Sequence, residues 1–167
     1  VELGIAVWCL LNVPPHTAIY TLSLHDALPI YALNVHEQFF LIDCGEGTQT
    51  RLFRCGISPL RLGTVFLTHL HGDHVYGLFG LMSTLGLLGR RTPLKIFAPR
   101  PFDRILASHL SFFDSKLPYE VQWEEIDTRA HRLLYENKTL EVWSIPLRHR
   151  VPDRKSTRLN SSHGKLS

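Results

Sequence analysis

Residues 68–74 read THLHGDH and place His69, His71, Asp73 and His74, four metal-ligating side chains, within six positions. In extended backbone, side chains two residues apart face the same way, so His69 and His71 can grip one cation from one side. Asp73 and His74 are consecutive and diverge, which suits a second cation nearby. Gly72 lets the chain turn between the two pairs. Imidazole and carboxylate ligands match zinc, at about 2.0–2.2 Å. Two such ions roughly 3.5–4 Å apart could share a hydroxide and clamp a phosphate in an in-line displacement. The plainer reading is a His-rich loop that solvates a helix start, with Asp73 as its N-cap. That reading leaves the density of the H-x-H-x-D-H pattern unexplained, and Asp73 could cap and ligate at once.

The flanking elements must present this cluster. Residues 64–68, TVFLT, read as a strand buried on both faces, leading directly into the histidines. Residues 74–88 read as a helix, with Val75, Leu78, Phe79, Met82, Leu85 and Leu88 at steps of three and four. Gly89 is placed to stop it, with Arg90 and Arg91 near the negative end of its dipole. Upstream, 38–43, QFFLID, reads as a strand that delivers Asp43 to its tip, followed by a CGEGT turn and a short helix over 49–55 closed by Gly56. Residues 58–62, with Pro59, form a connector. Downstream, 94–98, 119–124 and 140–145 read as strands, 102–113 as a second long helix, and Asn137 as a turn former. Strands interleaved with helices indicate a layered α/β domain. Glu46 and Thr48 read as turn formers, His109 and His131 as surface residues, and Trp123, Trp143, Phe112 and Phe113 as core.

The chain has 167 residues, 44% of them hydrophobic and 20% charged, an ordinary globular balance with room for one core. No apolar run is long enough to span a bilayer. The apolar start lacks a basic leader and a small-residue cleavage site, so no signal peptide is expected, and the missing initiator Met points to a fragment. Cys9, Cys44 and Cys55 form no C-x-x-C pair, which argues against a thiolate zinc site and for reduced thiols in a cytoplasmic setting. Two stretches, 21–30 (TLSLHDALPI) and 153–163 (DRKSTRLNSSH), resemble translated short-read sequencing adapters, and 164–167 fit what would follow. Both are set aside as foreign, against the alternative of a polar loop and a disordered basic tail. The tail holds Arg154, Lys155, Arg158 and Lys165 against Asp153, and 21–30 holds only Asp26, so without both the net charge falls from +3 to +1. Basicity is therefore no argument for nucleic-acid binding. Residues 1–20 lack an expected glycine-containing opening strand, as a frameshift would explain, and the domain proper is expected over 31–152.

The H-x-H-x-D-H segment resembles the signature of the metallo-β-lactamase superfamily, whose members include β-lactamases, thioester hydrolases, lactonases, sulfatases and nucleases. Three stretches are similar to its ribonuclease Z branch: 41–49, LIDCGEGTQ; 68–90, where the metal motif runs on through G-L-x-G-L to Gly-Arg; and 145–152, IPLRHRVP. The resemblance implies the amino-terminal half of an αββα sandwich. It implies two zinc ions, one held by His69, His71 and His149 and the other by Asp73 and His74. Asp73 would act as general base as well as ligand, or as ligand alone. Asp43 would steady an imaginable His partner from behind through a carboxylate–imidazole hydrogen bond, unless it is only a turn-forming acid. The implied activity is removal of the 3′ trailer from precursor tRNA by a cytoplasmic homodimer without membrane attachment.

The family's bridging aspartate, final histidine and tRNA-gripping arm find no counterpart in 31–152, so this chain is expected to be poorly folded or inactive alone. The rival readings are another hydrolase of the superfamily, such as a cyclic-nucleotide phosphodiesterase or an arylsulfatase-like enzyme, and a noncatalytic zinc-binding fragment. The open, carboxylate-containing donor set argues against the last, since structural zinc sites are closed and thiolate-rich.

Overall fold

The computed structural model describes residues 3–11, 17–21, 30–112 and 116–148. They form two sheets. Strands β2 (Thr17–Thr21), β3 (Tyr31–Val35), β4 (Gln38–Ile42), β5 (Leu62–Phe66), β6 (Leu94–Ala98) and β7 (Val121–Glu125) line up in that order in one sheet. Strands β1 (Leu3–Leu11), β9 (Leu140–Arg148) and β8 (Arg132–Glu136) form the other, with β9 in the middle. The pairs β2–β3 and β3–β4 are antiparallel; from β4 to β7 all neighbours are parallel. Helices α1 (Thr48–Arg54), α2 (Gly72–Leu87) and α3 (Phe102–Phe112) are the crossovers between the parallel strands, as parallel pairing requires.

Period-two alternation in the central strands divides the apolar residues between two cores. Phe39 and Leu41, Val65 and Leu67, and Ile96 and Ala98 face the helices, where they meet Leu52 of α1, Leu78, Leu81 and Leu85 of α2, and Phe102 and Leu106 of α3. The intervening Phe40, Phe66 and Phe97 point the other way and pack with Leu33, Val35, Leu140 and Val142 between the sheets. Phe66 and Phe97 stack there at 5.0 Å, and Tyr135 meets Phe40 edge-on at 5.2 Å. The layers therefore run helices, six-stranded sheet, three-stranded sheet. This is the helix–sheet–sheet portion of the expected sandwich.

Some expectations need correction. Helix α2 begins at Gly72, with the extended backbone of His71 as its N-cap and no side-chain cap. Asp73 thus lies inside the first turn, favourable to the dipole but not a cap, because the helix starts before it. Leu88 is the C-cap and is 42% exposed, whereas Leu81, absent from the expected face, is fully buried: both sides of α2 are apolar, so its buried face is wider than one stripe. Phe112 is not core but 81% exposed, since it stands six residues beyond Leu106 and well off the buried face of α3. Strands β3 and β8 were not anticipated; RLLYE in β8 contains no β-branched residue to signal a strand. Strand β9 extends to Arg148, past the expected end at 145, because it pairs with β1 along its whole length. Residues 1–20, expected to lack the glycine-containing opening strand, contribute β1 and most of β2, and Thr21 closes β2; the remainder of 21–30 up to residue 29, together with 149–167 and Phe113, lies outside the described residues.

Gly89 takes a left-handed φ of 82° and ends α2, with its N–H and that of Arg90 donating to Gly86 and Leu85 carbonyls at 3.0 Å. Arg90 then turns inward instead of decorating the helix end. Its guanidinium donates to the carbonyls of Leu62 (2.6 Å), Thr92 (2.8 Å) and Pro93 (2.6 Å) and lies over the Tyr119 ring. Burial pushes the Tyr119 phenol up to about 12, and its hydroxyl donates to the Met82 carbonyl at 2.8 Å. The pair staples the end of α2 to the starts of β5 and β6. Arg90→Met should leave those carbonyls without donors and lower unfolding free energy by about 2–4 kcal/mol, read from urea denaturation; an unchanged midpoint would show the staple to be idle.

Candidate metal centre

Because β4 and β5 are parallel neighbours, their carboxyl ends open at one edge, where α/β sheets place their chemistry. Asp43 follows β4 directly. Its N–H donates to the Phe66 carbonyl at 2.8 Å, and its φ of 61° is one that Asp tolerates better than most residues. The side chain turns back under the loop that leaves β5 and is buried. One carboxylate oxygen accepts from the Thr68 N–H at 2.8 Å, and the Thr68 hydroxyl stands 3.0 and 2.9 Å from the two oxygens. The second oxygen lies 2.8 Å from His74 Nδ1. The Thr68 hydroxyl is also 2.9 Å from His69 Nδ1.

Above this base the imidazoles gather. The His69 ring lies 3.8 Å from that of His74 and 4.7 Å from that of His71, centre to centre. One donor atom each from His69, His71 and Asp73 falls within 4.8 Å of the others, and Asp73 Oδ2 is 3.6 Å from His74 Nε2. Burial, then the neighbouring His74, lowers the pKa of His69 and favours the neutral, ligating imidazole. The Asp43 carboxylate holds that of His74 above its usual value. His71 and Asp73 are exposed and His69 is half-buried, so the group is open on one side. Convergent nitrogen and carboxylate donors with an open face fit a catalytic cation of the zinc class better than a closed structural site. Asp43 stands behind this group. His149 lies outside the described residues. His109 stacks on Phe79 at 4.2 Å and His131 meets Trp143 at a tilt, 5.0 Å between centres, and neither belongs to the converging group.

The loop and helix are held in place by backbone contact. The Cys44 N–H donates to the His74 carbonyl at 2.7 Å, and the Gly77 N–H donates to the Cys44 carbonyl at 3.0 Å. The two segments approach so closely that a Cβ at Gly77 would lie 1.8 Å from the Gly45 oxygen, and one at Gly45 would lie 2.2 Å from the Asp73 oxygen. Thr48, fully buried, donates its hydroxyl to the Gly45 carbonyl at 2.6 Å, which fixes the turn from below. Cys44 is sealed into this seam, and burial pushes its thiol up to about 12. Sequence reasoning missed Thr68, Gly45 and Gly77. The available signals were a hydroxyl residue directly before H-x-H and the two glycines in segments that must touch for Asp43 to reach the histidines.

A family model described as the metallo-beta-lactamase superfamily matches residues 29–139. The chain is 46% identical over 120 residues to a ribonuclease Z of Bacteroides thetaiotaomicron, covering 72% of this chain and 38% of that one. It is 41% identical over 141 residues to a ribonuclease Z of Phocaeicola vulgatus, covering 80% and 46%. The chain thus spans less than half the length of these curated relatives. Among solved structures, the short form of human tRNase Z superposes with a TM-score of 0.61 at 25% identity, covering 82% of this chain and 58% of that one. A diphosphatase of the PhnP family shares the fold, with a TM-score of 0.52 at 16% identity over 70% of this chain and 47% of that one.

Two measurements test the seam. Gly77→Ala should cost about 3 kcal/mol of stability and reduce metal uptake, because its methyl must displace the Gly45 backbone. Gly80→Ala, whose methyl meets only the flexible end of Gln49, should stay within about 1 kcal/mol of the parent; equal effects would show that the close approach is not the cause. Under native conditions an alkylating reagent should label the exposed Cys55 and spare Cys44 until the fold is opened, and labelling of native Cys44 would contradict the sealed seam.

Proposed function

The chain belongs to the metallo-beta-lactamase superfamily, and from that premise we propose that it is the amino-terminal part of a ribonuclease Z, an endonuclease that removes the 3′ trailer of precursor tRNA. Residues 31–152 are taken as the protein's own, and 21–30 and 153–167 as foreign sequence. The observation that carries the reading is the convergence of His69, His71 and Asp73 at the open ends of β4 and β5, in a chain 46% identical to a ribonuclease Z across 120 residues.

His69 and His71, with His149, would hold one zinc ion, and Asp73 and His74 the other. When bound, the ions would supply Lewis acidity toward a phosphodiester and a water acidic enough to attack at neutral pH. The chain's own groups have distinct tasks. The exposed Asp73 carboxylate, 3.6 Å from His74 Nε2, can take the proton of an attacking water. Asp43, buried and anchored on Thr68, cannot reach solvent and instead holds His74 in place. Superfamily membership implies metal ions in general terms; their identity as zinc, the cytoplasmic setting and a homodimeric state belong to this proposal. No helix among the described residues is long and apolar enough to cross a membrane.

In the intact protein, Asp73→Asn should lower cleavage of a tRNA precursor by about 10²–10⁴-fold while leaving the urea midpoint near that of the parent. Activity on a cyclic nucleotide or an aryl sulfate, with none on the precursor, would replace this reading with another hydrolase of the superfamily. The 167-residue chain alone should bind less than two metal equivalents and cleave no precursor, and full activity from it would overturn the fragment assignment. Codons over 21–30 and 153–167 that differ from adapter sequence would return those segments to the protein.

A further inference from the structure

The loop carrying the histidines contains one polar side chain that no ligand role absorbs. Thr68 ends the stretch that continues β5, and its hydroxyl sits between the Asp43 carboxylate, at 2.9 and 3.0 Å, and His69 Nδ1, at 2.9 Å. The hydroxyl has a single proton to give. The carboxylate faces a second donor, the Thr68 N–H, at 2.8 Å, and stands 2.8 Å from His74 Nδ1. In that position it is an acceptor. If the hydroxyl proton pointed at His69, the hydroxyl lone pairs would oppose carboxylate oxygens within 3.0 Å. The arrangement without such a clash has the hydroxyl donating to Asp43 and His69 Nδ1–H donating to the hydroxyl.

We propose that Thr68 is a positioning residue whose hydroxyl relays the Asp43 carboxylate to His69, so that one buried acid fixes two metal-ligating imidazoles, His74 by direct contact and His69 through Thr68. Each ring then carries its proton on Nδ1 and is left with Nε2 as its only free lone pair, on the side away from the acid. Hydrogen bonds to the far nitrogen are how metal-bound histidines are held in tautomer and orientation. Here the two rings lie 3.8 Å apart between centres, close enough for one acid to serve both. The inference rests on the reading of His69 and His74 as ligands.

The test uses the intact zinc-loaded protein and ring-nitrogen NMR of its histidines. His69 and His74 should each show a protonated Nδ1 and a ligated Nε2; ligation of His69 through Nδ1 would overturn the relay without any variant. Thr68→Val keeps the shape and the backbone N–H bond to Asp43 but removes the hydroxyl. In the metal-free state it should release the His69 tautomer and leave that of His74 unchanged, and it should weaken zinc affinity by about 10–100-fold. Thr68→Ser should restore both. Parental affinity and an unchanged His69 ring in a folded Thr68→Val protein would refute the relay while leaving the ligand reading intact. A parent protein that retains no zinc would defeat both.

Discussion

A buried carboxylate at the end of β4 is the constraint from which the centre follows. Asp43 has little exposure to water, and a charge in that position is tolerated only if donors surround it. The donors it finds are the backbone and hydroxyl of Thr68, while the His74 ring closes on its other side. The acid can be satisfied only if the loop after β5 folds over it and α2 begins where it does. Placing the acid therefore places the histidines. The left-handed backbone at Asp43 is part of the same requirement, since it turns the side chain back toward β5.

The layered fold supplies the precision. Parallel pairing of β4 with β5 brings the two loops to one edge, and helix packing against Phe39, Leu41, Val65 and Leu67 fixes the height of α2 above the sheet. At the join there is no room for side chains: Gly45 and Gly77 allow backbone to touch backbone, and Cys44 exchanges backbone hydrogen bonds with His74 and Gly77 across the gap. At the opposite end of α2, Arg90 and Tyr119 bind carbonyls of β5, of the approach to β6 and of the helix itself. The helix is thus held at both ends while its first turn carries the donors.

Much of this was legible in the sequence because the informative residues had short-range consequences. The spacing of His69, His71, Asp73 and His74 located the cluster, and QFFLID and TVFLT marked the strands that present it. The resemblance to ribonuclease Z was carried by 41–49 and 68–90, which overlap these segments, and by 145–152. What escaped had causes that sequence periodicity does not encode. Thr68 looked like the last residue of a strand, and its role emerges only when Asp43, 25 positions earlier, is packed beneath it. Arg90 looked like a helix-end cation because the buried carbonyl that draws it inward, that of Leu62, lies 28 positions earlier. Asp73 looked like a cap because the helix boundary was placed two residues late. β8 lacked β-branched residues and is held by pairing with β9, a tertiary cause.

The polar contacts that shape the centre share a further property: they all fall between Asp43 and Gly77, a single uninterrupted stretch of the chain. Loop closure within such a stretch is entropically inexpensive, and contacts of short sequence separation form early in folding. As the polypeptide leaves the ribosome, the stretch from Asp43 to Gly77 is therefore complete before β6, β7, β8 and β9 are made. The later strands contribute the rest of the two cores, Ile96, Phe97, Leu140 and Val142 among them, so changes in them reach the site through the packing that supports it.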